Sequence, residues 1–597
     1  MSSQREKRYV SAMKNRQELL NVSRRDLFRM GLLTSAGYLV AKDGLSVRAA
    51  SADANCLSPA TRAFIEPLPL PPIQQVTALT PAPTASPNTA AGESRTRPHQ
   101  AFTQFPPQNF YGVTQKAGQV SVSPDLPLQT LWGFAIGTPA QNNPITVPGP
   151  TYVSHYGAPN LVRNFNQLPT SSQNGGFGLP SVTTHLHNGH TPSESDGFPC
   201  DFFEIGHFYD QHYPNVLAGI LSDHPPTGDI NEAMSTLWYH DHRVDFTAQN
   251  VYKGLAGFYL LFNEFDTGDE STGFHLPSFP DFDIPMMFND KCFDPRTGLL
   301  FFDLFNLDGI LGDKFLVNGK IQPVLHVSPR RYRFRWLDAG PSRFYQFFLT
   351  DLNNLSAHNL FWQISNDGNL LPKPIQVESV RISVAERADV IVDFAPFAGR
   401  TIYLENRLKQ DDGRGPTDHV IRPAGSGDRV LQIVVDGPNV ADHSQDPATI
   451  TKFYDLPSTN VTPRVRRTFK FENSGGGWQI NGHFFDCNDI RFNVQQNSVE
   501  QWTLINDGGG WEHPIHIHFE EFQTLSINGR PPATSPLVQT GRKDVLRLEA
   551  DATAVLFFRF RDFLGRYPMH CHNTVHEDHA MMLRWELSPL GDTKTNP

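Results

Sequence analysis

Four His-x-His pairs stand out in the chain: His185/His187, His240/His242, His516/His518 and His570/His572. At this histidine frequency about one such pair is expected by chance. Residues two apart on a strand point to the same face, so each pair offers two imidazoles to one place. Cys571 lies between the last two histidines and faces the opposite side by the same alternation. In His513-Pro514-Ile515-His516-Ile517-His518, His513 also has the opposite parity to His516 and His518. His513 can therefore join Cys571 on one side of a sheet, while the paired histidines gather on the other. His576 and Met581 follow Cys571 at steps of five residues, through a turn or a short helix.

This arrangement defines two kinds of metal chemistry. One Cys, two His and a distant Met make the ligand set of a blue-copper electron-transfer site. Here that set is Cys571, His513, His576 and axial Met581. Eight imidazoles (His185, His187, His240, His242, His516, His518, His570 and His572) suffice for three Cu(II) ions with positions left open for oxygen. Because His570 and His572 flank Cys571, the backbone is a short covalent route for electrons. Zinc fits poorly, since one Cys among so many His is not a closed tetrahedral site. No cofactor beyond the metal is indicated. The lone histidines His99, His155 and His358 read as structural or surface residues.

The elements that must carry these residues read as strands. Short runs at 119–123, 131–136, 236–240 and 257–262 are followed by runs at 331–337, 344–349, 389–394 and 429–435. A third set falls at 499–505, 545–548 and 554–559. Two Asn-Gly openings, Asn318-Gly319 and Asn481-Gly482, give a faint internal repeat. Helical patterns are scarce. With 597 residues, too many for one core, and 48 Pro and 45 Gly, the economical reading is three β-sandwiches in series. The expected units are residues 60–270, 275–440 and 455–590. A Pro-rich stretch at about 67–98 reads as extended chain, and 436–465 as a connection.

The formal net charge is −11, which argues against nucleic acid or an anionic membrane surface as partner. No apolar run is long enough to span a bilayer. Residues 1–52 carry Ser23-Arg24-Arg25-Asp26-Leu27-Phe28, an apolar stretch and Ala50-Ser51-Ala52. They resemble a twin-arginine signal peptide, implying the Tat translocase as a partner and a periplasmic or extracellular destination in a bacterium. Besides Cys571 there are four cysteines (Cys56, Cys200, Cys292 and Cys487), which can form two bridges in three pairings, or none. Cys200 with Cys292 is the pairing put forward.

The motifs Thr184–His187, Trp238–His242, His513–His518 and His570–Met581 resemble the copper motifs of multicopper oxidases, nearest to spore-coat-type laccases and bilirubin oxidases. The resemblance runs from about Leu68 to about Leu587. It implies three cupredoxin-like Greek-key domains and four coppers: one type 1 in the third domain, and a cluster of one type 2 and two type 3 between the first and third. Carried over, His185 and His516 would hold type 2. His187, His240 and His572 would hold one type 3 ion, and His242, His518 and His570 the other. Electrons would arrive through an exposed edge of His576, and Glu577 and Asp196 match proton-relay positions. Asp241 and Asp578 read as structural. His190, where relatives often have small residues, is read as exposed rather than as a group touching a ligand. The implied reaction couples one-electron oxidation of phenols, aromatic amines or pigments to reduction of O2 to water. A metal-ion oxidase for Mn(II), Cu(I) or Fe(II) is the alternative. The chain has nine Met and no Met-rich cluster, which lowers Cu(I) and leaves Mn(II) open. A copper carrier is the third reading, but it needs no eight-His cluster.

Overall fold

A computed structural model of the chain describes residues 56–216, 235–532 and 539–589, with the backbone of the short strands Tyr38–Val40 and Ser46–Arg48. Apart from that ribbon, the export signal expected over 1–52 lies outside the described residues.

Alternation of apolar and polar residues makes the strands. In Ser498–Asn506 the buried positions recur at every second residue over the second half of the strand. This is the signature of a sheet with one face on a core. Three pairs of sheets result. The first pair runs in the orders 129–136/109–120/160–167/208–213 and 149–155/256–262/236–241/184–187. Both sheets contribute to one core, through residues such as Val113, Trp132, Tyr152 and Tyr239. A second pair spans strands between Asp283 and Val434 around Phe334, Trp336, Phe347 and Val390. The third pair spans Val465 to Ser588 around Phe469, Trp502, Phe558 and Trp585. Parallel pairings inside each unit, such as Val465–Ser474 with Ser498–Asn506, require crossovers rather than simple hairpins. The expected run at 119–123 is only the end of a longer strand, Asn109–Val120.

Among the described residues the only α-helices are Thr247–Tyr252 and Thr574–Asp578. Asn573 caps the latter by accepting from Val575 N at 3.2 Å.

The Pro-rich stretch 67–98, extended apart from a 3-10 turn at Thr89–Ala91, straps two units together. Leu68 N donates to Val324 O at 2.7 Å, and Gln74 N to Thr151 O at 2.9 Å. The pairing of Cys200 with Cys292 is wrong. Cys200 bonds Cys487, tying the first unit to the third, and Cys56 bonds Cys292. The partners are 287 and 236 residues apart, so only the tertiary fold brings them together.

Candidate metal centres

Strand register fixes the metal-binding side chains. Ile515 pairs with Cys571 and His516 with His570 in neighbouring antiparallel strands. Ile515, Ile517 and Cys571 all point into the core of the third unit. His516, His518 and His570 therefore point the other way. In the first unit His185 pairs with His240, and Leu186 points into the core. The two histidine faces meet between the units: His185 Nε2 lies 3.4 Å from His516 Nε2.

Three nitrogens form a near-equilateral triangle. His242 Nε2 is 3.2 Å from His518 Nε2 and 3.2 Å from His570 Nε2, and the last two are 3.3 Å apart. Each ring spends its other nitrogen elsewhere. His518 Nδ1 donates to Asp196 Oδ2 at 2.7 Å, and His570 Nδ1 faces the Cys571 carbonyl at 3.0 Å. His242 Nδ1 faces Glu577 Oε1 at 3.1 Å. The three Nε2 atoms then carry lone pairs aimed at one another, an arrangement a cation relieves. The triangle's centre lies about 1.9 Å from each nitrogen, close to a metal–imidazole bond of ~2.0–2.1 Å. Burial holds the His242 and His518 imidazoles below their ordinary pKa, so they stay neutral, as metal ligation requires.

A second group holds His187, His240 and His572, with ring centroids 5.2 to 5.7 Å apart. His240 Nε2 and both nitrogens of His572 are buried without a hydrogen-bond partner. Buried ring nitrogens left unpartnered in this way are costly, and an ion that takes their lone pairs relieves the cost.

On the opposite face Cys571 Sγ lies 3.5 Å from His513 Nδ1 and 3.7 Å from His576 Nδ1, and those two nitrogens are 3.2 Å apart. His576 Nε2–H donates to Asp308 O at 2.9 Å, leaving Nδ1 free to face the sulfur. Burial pushes the Cys571 thiol up, so a bound metal must draw off its proton. Met581 is fully buried beside this trio, and its carbonyl accepts from Cys571 N at 3.0 Å.

The exposed edge expected for His576 is not there. The ring is fully buried, with Asp308 O and Asn573 Nδ2 against Nε2. The Trp478 ring lies over it at 4.0 Å. Trp511, partly exposed, stands 5.2 Å from Trp478, with the Arg414 guanidinium 4.6 Å above it.

Two carboxylates meet the histidine groups where expected. Glu577 sets Oε2 3.3 Å from His570 Nδ1, besides its contact with His242. Burial alone would raise the Glu577 carboxyl, but His242 and His570 hold it well below the usual range. Asp196 is buried against His518, and burial pushes its carboxyl well up. A third carboxylate, Asp544, escaped the sequence reading; its carbonyl accepts from His516 Nδ1 at 2.9 Å and its Oδ2 lies 3.0 Å from His187 Nε2. Asp241 and Asp578 serve the backbone, accepting from Thr183 N and Ala248 N respectively.

His190 is buried, not exposed. It pairs with Asp562 at 2.6 Å and stacks on Phe519, joining the first unit to the third. Burial opposes its charge, but Asp562 and Glu520 raise its pKa above the ordinary value. A raised folded pKa stabilises the fold fully below the unfolded value of about 6.5, and the gain fades as pH rises through the folded value. The Tm of His190→Gln should therefore trail the wild type most near pH 6, by the equivalent of about 3 kcal/mol. The gap should close at alkaline pH. A thermal melt series checks this, and a gap that widens with pH contradicts it.

The multicopper oxidase family matches residues 458–590. A bilirubin oxidase from Albifimbria verrucaria is 33% identical over 542 residues, covering 90% of this chain and 83% of the relative. A laccase from Bacillus stratosphericus is 30% identical over 537 residues, covering 80% and 94%. Among solved structures, a laccase from Pediococcus acidilactici superposes with a TM-score of 0.67 at 21% identity, over 89% of this chain and 95% of that one. A multicopper oxidase from Aquifex aeolicus gives 0.65 at 22%, over 81% and 97%. The fold is thus the cupredoxin-like one, in triplicate. With full-length relatives at this identity, the chain belongs to the multicopper oxidases.

Proposed function

We propose that this enzyme takes single electrons from a phenolic, aromatic or pigment-like donor and passes them to O2 as a laccase-like oxidase. The observation that carries the proposal is the division of ligands across one strand. Cys571 faces a two-imidazole site while His570 and His572, its neighbours on either side, face the eight-imidazole group. In this reading His513, Cys571, His576 and Met581 hold a type 1 copper. His185 and His516 hold type 2, His187, His240 and His572 one type 3 ion, and His242, His518 and His570 the other. The domain bounds are those given above, and the chain is exported through the Tat route. When bound, the coppers supply one-electron transfer and the four-electron reduction of O2 to water.

The protein's own groups do the rest. Cys571 and its two peptide neighbours form the path between centres. Asp196 and Glu577, in contact with the cluster histidines, relay the protons that water formation consumes. The Trp478 and Trp511 rings with Arg414 make a rim above the Cys571 site on which a flat aromatic donor can stack. That rim favours organic donors over metal ions.

O2 uptake by copper-loaded protein tests this, with a phenol, a tetrapyrrole pigment, Mn(II) and Cu(I) each as sole donor. The expected result is fast uptake with the organic donors. Uptake with Mn(II) or Cu(I) alone would show the metal-ion oxidase instead.

A further inference from the structure

Seven of the eight cluster imidazoles can be compared by which nitrogen is already engaged. In six of them it is Nδ1. His185 Nδ1 meets the Asp196 carbonyl and His240 Nδ1 the Asp241 carbonyl. His516 Nδ1 meets the Asp544 carbonyl and His518 Nδ1 the Asp196 carboxylate. His242 and His570 turn Nδ1 to Glu577. All six are left to offer Nε2. His187 is reversed: Nε2 is the nitrogen beside a carboxylate, 3.0 Å from Asp544 Oδ2 in an ion-pair contact, while Nδ1 is buried and, like Nε2, makes no hydrogen bond.

Asp544 is itself held rigidly. Arg387 Nη1 donates to its Oδ1 at 3.0 Å and Arg387 Nη2 to its Oδ2 at 3.1 Å. Its backbone N donates to Asp367 Oδ2 at 3.1 Å. Arg387 and Asp367 belong to the middle unit, in and beside its sheet, and Arg387 also reaches Asn188 Oδ1 at 2.9 Å, next to His187. All four residues are buried.

We infer that Asp544, clamped by Arg387, is the residue that turns His187 around so that Nδ1 faces the cluster. This rests on the copper reading above. A carboxylate behind a ligand histidine fixes its tautomer and ring orientation. The His187 ring stacks on His516 at 3.7 Å, so Asp544 steadies two neighbouring rings, one through its side chain and one through its carbonyl. The middle unit holds none of the eight histidines. Its part in the eight-histidine group is this clamp.

The test compares Asp544→Ala and Asp544→Asn with wild type, all copper-loaded, by copper per chain and by visible spectrum. In Asp544→Ala about one copper per chain should be lost and O2 uptake should fall ~10–100-fold, while the blue band of the Cys571 site stays. Asp544→Asn keeps the shape and one acceptor oxygen. It should hold its copper but surrender it to a chelator faster than wild type. A wild-type copper count and uptake rate in Asp544→Ala would overturn the inference. If that variant does not fold, chelator loss from Asp544→Asn at the wild-type rate overturns it. A wild-type protein that takes up no copper would sink the copper reading instead.

Discussion

Cys571→Ser should abolish the blue colour of the copper-loaded protein and cut donor-dependent O2 uptake by about 10²-fold or more. Loss of a carboxylate behind a ligand costs ~10–100-fold, so loss of the sulfur ligand starts at the top of that range. The reason is strand parity. Cys571 is the only free cysteine among the described residues, and no other sulfur of its kind can replace it between His513 and His576. Its flanking residues already belong to the other face, so the backbone path remains in the variant while its electron-receiving end is gone. Two measurements separate this from misfolding. The far-ultraviolet spectrum and the copper held by the histidine group should stay as in wild type, since Ser fits where Cys was. Undiminished O2 uptake without the blue band would mean that donors reach the histidine group directly, and the division of labour across the strand would be wrong.

The same parity explains how much of the site could be read from the chain alone. His513, His516 and His518 sort to opposite faces by counting, and the structure places them so. The strands at 331–338, 387–393 and 498–506 follow from alternation, which is a local property. What could not be read is not local. Asp544 sits in Lys543-Asp544-Val545 with no signature. Its meaning comes from Arg387, 157 residues away. The cover on His576 is a backbone carbonyl of Asp308, which any residue type could supply. Asp308 is 268 residues from His576. Cys200 and Cys487 face each other only because the first and third units pack together. His190 reads as exposed from the chain alone because its acid, Asp562, lies in another unit. Chemistry carried by paired side chains within one strand is legible, whereas chemistry assembled between units is not.

Glu577→Gln should slow O2 reduction by about 10²–10⁴-fold, the span for losing a positioned acid–base group, and leave reduction by the donor untouched. Glu577 is fully buried and touches Nδ1 of both His242 and His570, while Cys571 lies on the other side of the strand. A substitution there acts on the histidine group and not on the path from donor to sulfur. Gln keeps the size and one acceptor oxygen, so the rings stay oriented, but it can neither carry a charge nor release a proton at ordinary pH. Mixing donor with the protein in the absence of O2 should bleach the blue band at the wild-type rate. Admitting O2 should then restore the colour far more slowly than in wild type, and with a larger solvent isotope effect, because proton supply has become limiting. Asp196→Asn should act in the same direction but less strongly, since Asp196 meets His518 through one oxygen and Glu577 remains. If Glu577→Gln bleached slowly and recovered at the normal rate, the carboxylate would be tuning the sulfur site, and Asp196 alone would be left to feed protons to the cluster.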